Sequence, residues 1–240
     1  MSPGDNPKVI HVVAGVVIDA TGHVLIAQRP PGRHLAGEWE FPGGKLEPGE
    51  ERLAGLEREL REEIGITLRA PRPLIRVRHV YPYGGVLLDV WVVRRYEGIP
   101  KGLDGQALRW CTQDELAAAQ LLPADRPIVA ALRLPERLTR AASACGGYAV
   151  DDVSTLPHLS AAAAAGAPGD GQLRGVFCLD AAQAIAAADA GADFLVMREM
   201  LAEARLAALC EAVSVPVYAR GIALEQAWAL GASGINELNR

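Results

Sequence analysis

The sequence predicts two α/β units of different topology, placed end to end. Three observations predict this. Up to Pro135 the segments run strands, helix, strands, helix, which suits a mixed sheet better than a series of βαβ units. From Gly175 onward strands and helices alternate regularly, which implies parallel βα units with right-handed crossovers. Between them Ser160 to Gln172, SAAAAAGAPGDGQ, is low in complexity and reads as a linker or loose loop. A chain of 240 residues suits one large domain or two small ones. Charge is split the same way. Met1 to Pro135 holds 17 Lys+Arg against 17 Asp+Glu, and Glu136 to Arg240 holds 7 against 12, so the whole net charge of −5 lies in the second part.

In the first unit, Val9 to Ile18 is apolar and β-branched, as a buried strand should be. Asp19 to Gly22 is a turn, and His23 to Gln28 reads as the partner strand of a hairpin. A Pro/Gly-rich loop follows from Pro30 to Gly37. Glu38 to Pro42 is short and extended, and Gly43-Gly44 breaks it. Over Glu50 to Glu63, Leu53, Leu56, Leu60 and Ile64 recur at helical spacing, with Gly65 where a C-terminal cap belongs. Leu74 to Tyr81 and Gly85 to Arg94 read as strands around a turn at Tyr83, and Leu108 to Cys111 as a short strand. Asp114 to Ala119 and Pro127 to Leu134 read as short helices. In the second unit the predicted strands are Gly175 to Leu179, Asp193 to Met197, Pro216 to Arg220 and Gly234 to Leu238. Helices over Ala181 to Ala190, Leu201 to Val213 and Leu224 to Leu230 separate them. The predicted boundaries are 1–135 for the first domain, 136–174 for a linker and eroded region, and 175–240 for the second.

Composition excludes several classes. Half the residues are apolar, enough for a packed core. The acidic balance gives no footprint for a nucleic-acid polymer. The N-terminus lacks a basic segment followed by a long apolar run, and no apolar stretch reaches the roughly 18 residues of a membrane span, so a soluble cytoplasmic protein is expected. Cys111, Cys145, Cys178 and Cys210 show no metal-binding spacing and read as buried free thiols.

The stretch GGKLEPGEERLAGLERELREEIGI carries the chemistry. At about 100° per residue, Glu59, Glu62 and Glu63 fall on one helix face, next to the leucine stripe. Like charges at these spacings repel, so a helix built only for stability would avoid them. A divalent cation removes the conflict, and Mg²⁺ favours hard oxygen ligands together with substrate phosphates. The bland alternative is a solvated charged face. The spacing is more specific than that. Gly44, five residues, Glu50, seven residues, Arg58-Glu59-Leu60, one residue, Glu62-Glu63, one residue, Gly65-Ile66 meets every defined position of the Nudix box.

Over roughly Val9 to Leu134 the sequence therefore resembles Nudix hydrolases, which cleave a nucleoside diphosphate linked to another group. The resemblance implies an α/β/α sandwich with a mixed sheet. It implies Mg²⁺, with Mn²⁺ as an alternative, held by Glu59, Glu62 and Glu63 with a backbone carbonyl of Gly43 or Gly44. Arg58 would orient Glu50, which completes the metal region. Asp104 stands where MutT-type enzymes carry a glutamate ligand or base, and a turn residue is the alternative there. The flanks GHVLIAQRPPGRHLAGEWEFPGGK, RRYEGIPKGLDGQALRW and LLPADRPIVAAL resemble MutT-type 8-oxo-dGTP diphosphatases. By that likeness Arg29 contacts the nucleotide or its phosphates, His34 assists at a phosphate, and Leu35 and Phe41 line the base or sugar pocket. Asp125 replaces an asparagine that reads the oxidised purine. Ionised Asp only accepts hydrogen bonds, whereas protonated Asp also donates. The alternative for Asp125 is the N-cap of the helix opening at Arg126-Pro127. Tyr81 and Tyr83 flank the base or pack at strand ends.

In the second unit GVFCLDAAQAIAAADAGADFLVM, VPVYARGI and GASGINEL resemble the later βα units of a thiamine phosphate synthase/TenI-type barrel. Arg198-Glu199-Met200 and Arg220-Gly221 depart from that family's glycine-rich phosphate loops, and glutamates there would repel a phosphate. The 105 residues from Glu136 fall far short of the ~250 of a full barrel. A degenerate partial barrel is expected, with an open sheet edge that a homodimer could cover. Three functions follow as alternatives: Mg²⁺-dependent hydrolysis of 8-oxo-dGTP to monophosphate and pyrophosphate, the same chemistry on another (d)NTP or a nucleotide sugar, or a non-catalytic sensor of a nucleotide or thiamine precursor.

Overall fold

The computed structural model describes residues 9–82, 84–139, 148–152 and 173–238. It divides into two compact units, 1–73 with 77–129 and 74–76 with 130–240. Tyr83, Cys145 and the predicted linker at 160–172 lie outside the described residues.

The first unit has two principal sheets. Strands β1 (Val9–Val17), β4 (Gly43–Lys45), β6 (Arg72–Tyr81) and β7 (Gly84–Val93) form one, in the order β4-β1-β7-β6. Strands β2 (Val24–Gln28), β3 (Trp39–Glu40) and β9 (Leu108–Cys111) form the other, in the order β3-β2-β9. Strands β5 (Thr67–Arg69) and β8 (Arg95–Glu97) pair separately and were not read from the sequence. The expected β1–β2 hairpin does not form. β1 is flanked by β4, antiparallel, and by β7, parallel along its whole length, so both its edges are taken. After one bridge, Ile18 to Val24, β2 leaves for the second sheet. Gly43-Gly44 does not break a strand either. It is β4, placed so close to β1 that a Cβ on Gly43, at φ +155°, would lie 2.1 Å from the Val13 carbonyl oxygen.

Helix α1 (Arg52–Ile64) starts two residues later than expected, leaving Glu50 in the preceding loop. Gly65 closes it in the left-handed conformation at φ 72°. Leu56, Leu60 and Ile64 are buried against Val13, Val17, Leu25 and Val93, whereas Leu53 is exposed. Gly55 is buried instead, on a different face: a Cβ there would meet Leu46 at 2.3 Å. Gly15 admits the Leu60 side chain in the same way, at 2.6 Å. Arg52, in the first turn, pairs with the buried Asp89 of β7 at 3.2 Å. β1 thus turns Val13, Gly15 and Val17 toward α1, and Ile10, Val12 and Ala14 toward a cavity. Helix α2 (Gln113–Ala118) opens with a capping box of Thr112 and Glu115. A 3-10 turn (Pro123–Asp125) leads into α3 (Arg126–Arg133).

The second unit is a curled, all-parallel sheet. Its strands are β10 (Arg137–Leu138), β11 (Tyr148–Asp151), β12 (Leu173–Cys178), β13 (Phe194–Met197), β14 (Val217–Ala219) and β15 (Gly234–Asn236). They lie in the order β10-β15-β14-β13-β12-β11. The edge strands β10 and β11 were not anticipated. Helices α4 (Ala181–Asp189), α5 (Glu203–Ala212) and α6 (Leu224–Ala229) connect β12 through β15. Alternate residues serve two cores, as a sheet covered on both faces requires. Leu195 and Met197 pack with helix residues such as Ala184, Leu206 and Leu209. Phe194 and Val196 pack with Leu138, Tyr148, Leu173 and Tyr218 on the other face. The Phe194 ring meets Tyr148 and Tyr218 edge-on, at centroid distances of 5.7 and 5.9 Å.

Cys111, Cys178 and Cys210 are free and buried, and burial pushes the Cys178 and Cys210 thiols up to about 12. Among the described residues no helix is long and apolar enough to cross a membrane.

Gly175 lies under the Phe194 ring, where a Cβ would come within 2.3 Å. Gly175→Ala is therefore expected to cost about 1–3 kcal/mol, the usual range for overpacking a core. Phe194→Leu in the same chain should recover part of that loss. Urea denaturation of the two variants measures both effects.

Candidate active site

A cavity of about 830 Å³ opens on the first unit, within the size range of small-ligand sites. Ile10, Val12, Val86 and Leu88 of the first sheet line it, together with the loop that follows β2. Glu59, Glu62 and Glu63 reach it from α1, and Gly43 and Gly44 from β4. Arg29, His34, Leu35, Phe41, Asp104 and Asp125 also lie on its wall. Residues named from one helix, three loops, a 3-10 turn and a strand with two glycines thus share one cavity. Arg58 and Glu50 stand outside its lining.

Arg58 organises the carboxylates from behind. All five of its N–H groups are used. Nε and Nη2 fork onto the two Glu50 oxygens, each at 2.8 Å. Nη1 donates to Glu59 at 2.9 Å and Glu62 at 3.3 Å, and Nη2 also donates to the Lys45 carbonyl at 3.1 Å. The guanidinium holds the Glu50 carboxyl down at about 2, helped by the Glu47 N–H. Glu50 is thus held against Arg58, behind the cavity wall. Glu59 lies along Gly44, where a Cβ would meet its carboxylate at 2.2 Å. Glu63 is turned inward and accepts from the Gly43 N–H at 2.8 Å. Burial raises the Glu63 carboxyl to about 7 against that hydrogen bond, and the charges of Glu40, Glu59 and Asp104 add to the rise.

Among the described residues no three His, Cys, Asp or Glu side chains are gathered tightly enough to hold a metal ion. Arg58 draws Glu59 and Glu62 to itself, Gly43 holds Glu63, and the Glu62 side chain is 64% exposed. The donor set still suits a hard cation. It consists of carboxylate oxygens on one wall, with backbone at Gly43 and Gly44 left bare of side chains.

Asp125 is not an N-cap. Its carboxyl is buried, 4% exposed, and accepts from the Phe41 N–H at 3.2 Å, across the chain. Burial raises its pKa to about 8, and the neighbouring Glu40 charge adds to the rise against the pull of the Phe41 N–H and Arg29. Arg29 pairs with Glu40 and donates from Nε to the His34 carbonyl at 2.8 Å, closing the loop over 30–37. His34 is exposed, and Leu35 sits at φ 57°, a left-handed conformation uncommon for a leucine. Sequence reasoning missed Glu40, Arg33, Lys45 and Gln106 on this wall; Tyr81, named as flanking the base or packing at a strand end, also lies on it. Glu40 follows a tryptophan in a two-residue strand, with nothing in its spacing to set it apart from the glutamates around it.

A helix that offers glutamates to a nucleotide-sized cleft on a mixed α/β sheet defines a class of hydrolases that act on phosphoanhydrides. The NUDIX domain family model matches residues 13–131, and the chain belongs to the Nudix family. It is 33% identical over 126 residues to the 8-oxo-dGTP diphosphatase of Escherichia coli (strain K12), an alignment covering 52% of this chain and 98% of that protein. It is 39% identical over 124 residues to the CTP pyrophosphohydrolase of the same organism, covering 52% and 91%. The MutT protein from Methanosarcina mazei Go1 superposes with a TM-score of 0.50 at 23% identity, over 54% of this chain and 96% of that one, a likeness of fold alone.

The Asp125 shift has a signed consequence. Between the ordinary value of 3.8 and about 8, the unfolded chain has released the proton that the folded chain keeps. Folding stability attached to this group is thus full below the ordinary value and falls as pH rises toward 8. Asp125→Asn removes the titration. Its stability relative to the natural chain should rise steadily from pH 4 to pH 8 in denaturant melts.

Proposed function

We propose that the chain hydrolyses nucleoside triphosphates to a nucleoside monophosphate and pyrophosphate with Mg²⁺, and that 8-oxo-dGTP is its substrate. One observation carries the reading: the glutamates of α1 and the buried Asp125 line the same cavity. Glu59, Glu62 and Glu63, with Asp104 and the backbone at Gly43 or Gly44, would hold the cation. When bound, Mg²⁺ neutralises polyphosphate oxygens and makes a coordinated water acidic. Arg58 keeps Glu59 and Glu62 in place without entering the cavity, and Glu50 keeps Arg58. Arg29, Arg33 and Lys45 bring positive charge to the wall for the phosphates.

At neutral pH Asp125 offers both a donor and an acceptor. One oxygen takes the Phe41 N–H, and the O–H is available to the ligand. The edge of 8-oxoguanine presents an N–H beside a carbonyl oxygen and matches that pair. Phe41 and Leu35 supply apolar surface beside it. The similarity to a CTP pyrophosphohydrolase supports a second substrate reading, a cytosine nucleotide, on the same machinery.

The domain reading is a catalytic part over 1–135 followed by a non-catalytic partial barrel. Support for the latter is that the face opposite its helices is filled by Tyr148, Phe194 and Tyr218. A second copy of the chain is a fitting cover for its edge strands, and light scattering should then show a dimer.

Pyrophosphate release is to be measured with 8-oxo-dGTP, dGTP, CTP, ATP and ADP-ribose. A preference for 8-oxo-dGTP is expected. Glu59→Gln should lower turnover by more than the roughly 10–100-fold typical of outer-shell changes at metal sites. Preference for CTP would replace the substrate and keep the chemistry. No turnover of any of these compounds would sink the enzymatic reading. The ratio of kcat/KM for 8-oxo-dGTP over dGTP should narrow above pH 8, where Asp125 ionises and loses its donor. Asp125→Asn should hold the ratio to higher pH.

A further inference from the structure

The loop over 101–106 completes the C-terminal cap that Gly65 begins on α1. Helix ends leave backbone carbonyls without partners. Here the Lys101 N–H donates to the Ile64 carbonyl at 3.0 Å, and the Leu103 N–H to the Glu63 carbonyl at 3.0 Å. The second lone pair of the Glu63 carbonyl takes the Gln106 side chain, Nε2 to O, also at 3.0 Å. The other end of that amide is occupied too: Gln106 Oε1 accepts from the Asp104 N–H at 2.9 Å. The amide's orientation is fixed by chemistry, because a carbonyl oxygen must face an N–H and a backbone N–H must face an oxygen. Gln106 is buried, 8% exposed, while Asp104 and Leu103 are exposed around it. Its fit is tight: a Cβ on Gly102 would lie 2.1 Å from its backbone oxygen and 2.9 Å from Oε1.

Two carboxylates of the cavity wall are therefore joined through one amide. Glu63 points its carboxylate at the Gly43 N–H and its carbonyl at Gln106. Asp104 reaches the cavity from a residue whose backbone hangs on the same side chain. We propose that Gln106 is a positioning residue that holds Asp104 in register with the glutamates of α1, so that helix and loop present one rigid set of oxygen ligands. This rests on the reading of those carboxylates as the cation site. An amide is well suited to the task. It bridges a donor and an acceptor at once and adds no charge to a wall that already carries Glu40, Glu59, Glu62, Glu63, Asp104 and Asp125.

The test uses Mn²⁺ as the probe, with its free signal followed by electron paramagnetic resonance in the full chain without nucleotide. Gln106→Met keeps the size and removes both hydrogen bonds. It is expected to weaken Mn²⁺ binding by about 10–100-fold, the range for outer-shell partners of metal ligands, and to lower kcat more than it changes KM. Gly102→Ala displaces the same amide from the other side and should have the same effect, so it serves if Gln106→Met folds poorly. Asp104→Asn should also weaken binding, and adding Gln106→Met to it should produce no further loss. A merely structural role would lower the Tm and the active fraction but leave the Mn²⁺ affinity of the folded protein unchanged. Wild-type Mn²⁺ affinity in both Gln106→Met and Gly102→Ala overturns the proposal. So does a full additional loss on top of Asp104→Asn, or a silent Asp104→Asn. The underlying reading fails separately if Glu59→Gln leaves both Mn²⁺ binding and turnover intact.

Discussion

Repulsion among carboxylates is the constraint from which the first unit is built. Six acidic side chains share the wall of one cavity. Two unit charges 4 Å apart interact by about 4 kcal/mol in the partly shielded surroundings of a protein surface, which is comparable to a large part of the stability of a whole domain. The fold meets this with several devices, on the wall and just behind it. Glu50, Glu59 and Glu62 are bound by a single guanidinium whose every N–H is occupied. Glu63 takes a backbone N–H from Gly43, which lies too close to β1 to carry a side chain, and burial raises the Asp125 carboxyl toward its uncharged form. Arg29 answers Glu40. These devices depend on neighbours being held in place, which is why α1 is packed against β1 and β7, anchored through Arg52 at one end and capped by a loop at the other.

The cleft itself follows from strand competition. β1 has only two edges, and β4 and β7 take both. β2 must then leave for a second sheet with β3 and β9, and the connections at its end become the cavity's second wall. Gly43 is the hinge of this arrangement. Its backbone belongs to β4, its missing side chain lets β4 approach β1, and its N–H reaches Glu63. A side chain at that position would damage sheet pairing and carboxylate placement together.

Much of the site was legible because its residues lie at fixed spacing on one element. Glu59, Glu62 and Glu63 can be placed by helical periodicity alone, and Gly65 marks where the helix must end. The elements that escaped are those set by distant partners. A strand as short as Gly43–Lys45 has no internal pattern, and its existence depends on an edge of β1 being free. Leu53 matches the leucine stripe in spacing, yet it lies exposed in the first turn of α1, outside the cluster that buries Leu56, Leu60 and Ile64. Glu40 and Gln106 became visible only when the chain was folded, since each matters through partners 11 to 85 positions away: Arg29 and Asp125 for the first, Glu63 for the second. Whether an aspartate will be charged is likewise a property of its surroundings. Nothing in LLPADRP foretells that Asp125 is sealed against the Phe41 N–H.

The second unit answers to a different physical demand. A parallel sheet has two apolar faces to cover, and this one covers the first with α4, α5 and α6. In a closed barrel the other face would be filled by side chains from the whole ring of strands. Among the described residues the order runs from β10 to β11, and side chains of these strands, with Ala130 and Leu134 packed against them, fill the curl. Phe194 and Tyr218 do so by lying over the backbone of Gly175 and Gly234, and Tyr218 spends its hydroxyl on the Pro135 carbonyl at 2.7 Å. Glycines that in a ligand-binding sheet would make room for a substrate here make room for rings. The same residue type thus serves opposite ends in the two units: at Gly43 and Gly44 it keeps a surface clear for polar groups, and at Gly175 and Gly234 it lets a surface be filled.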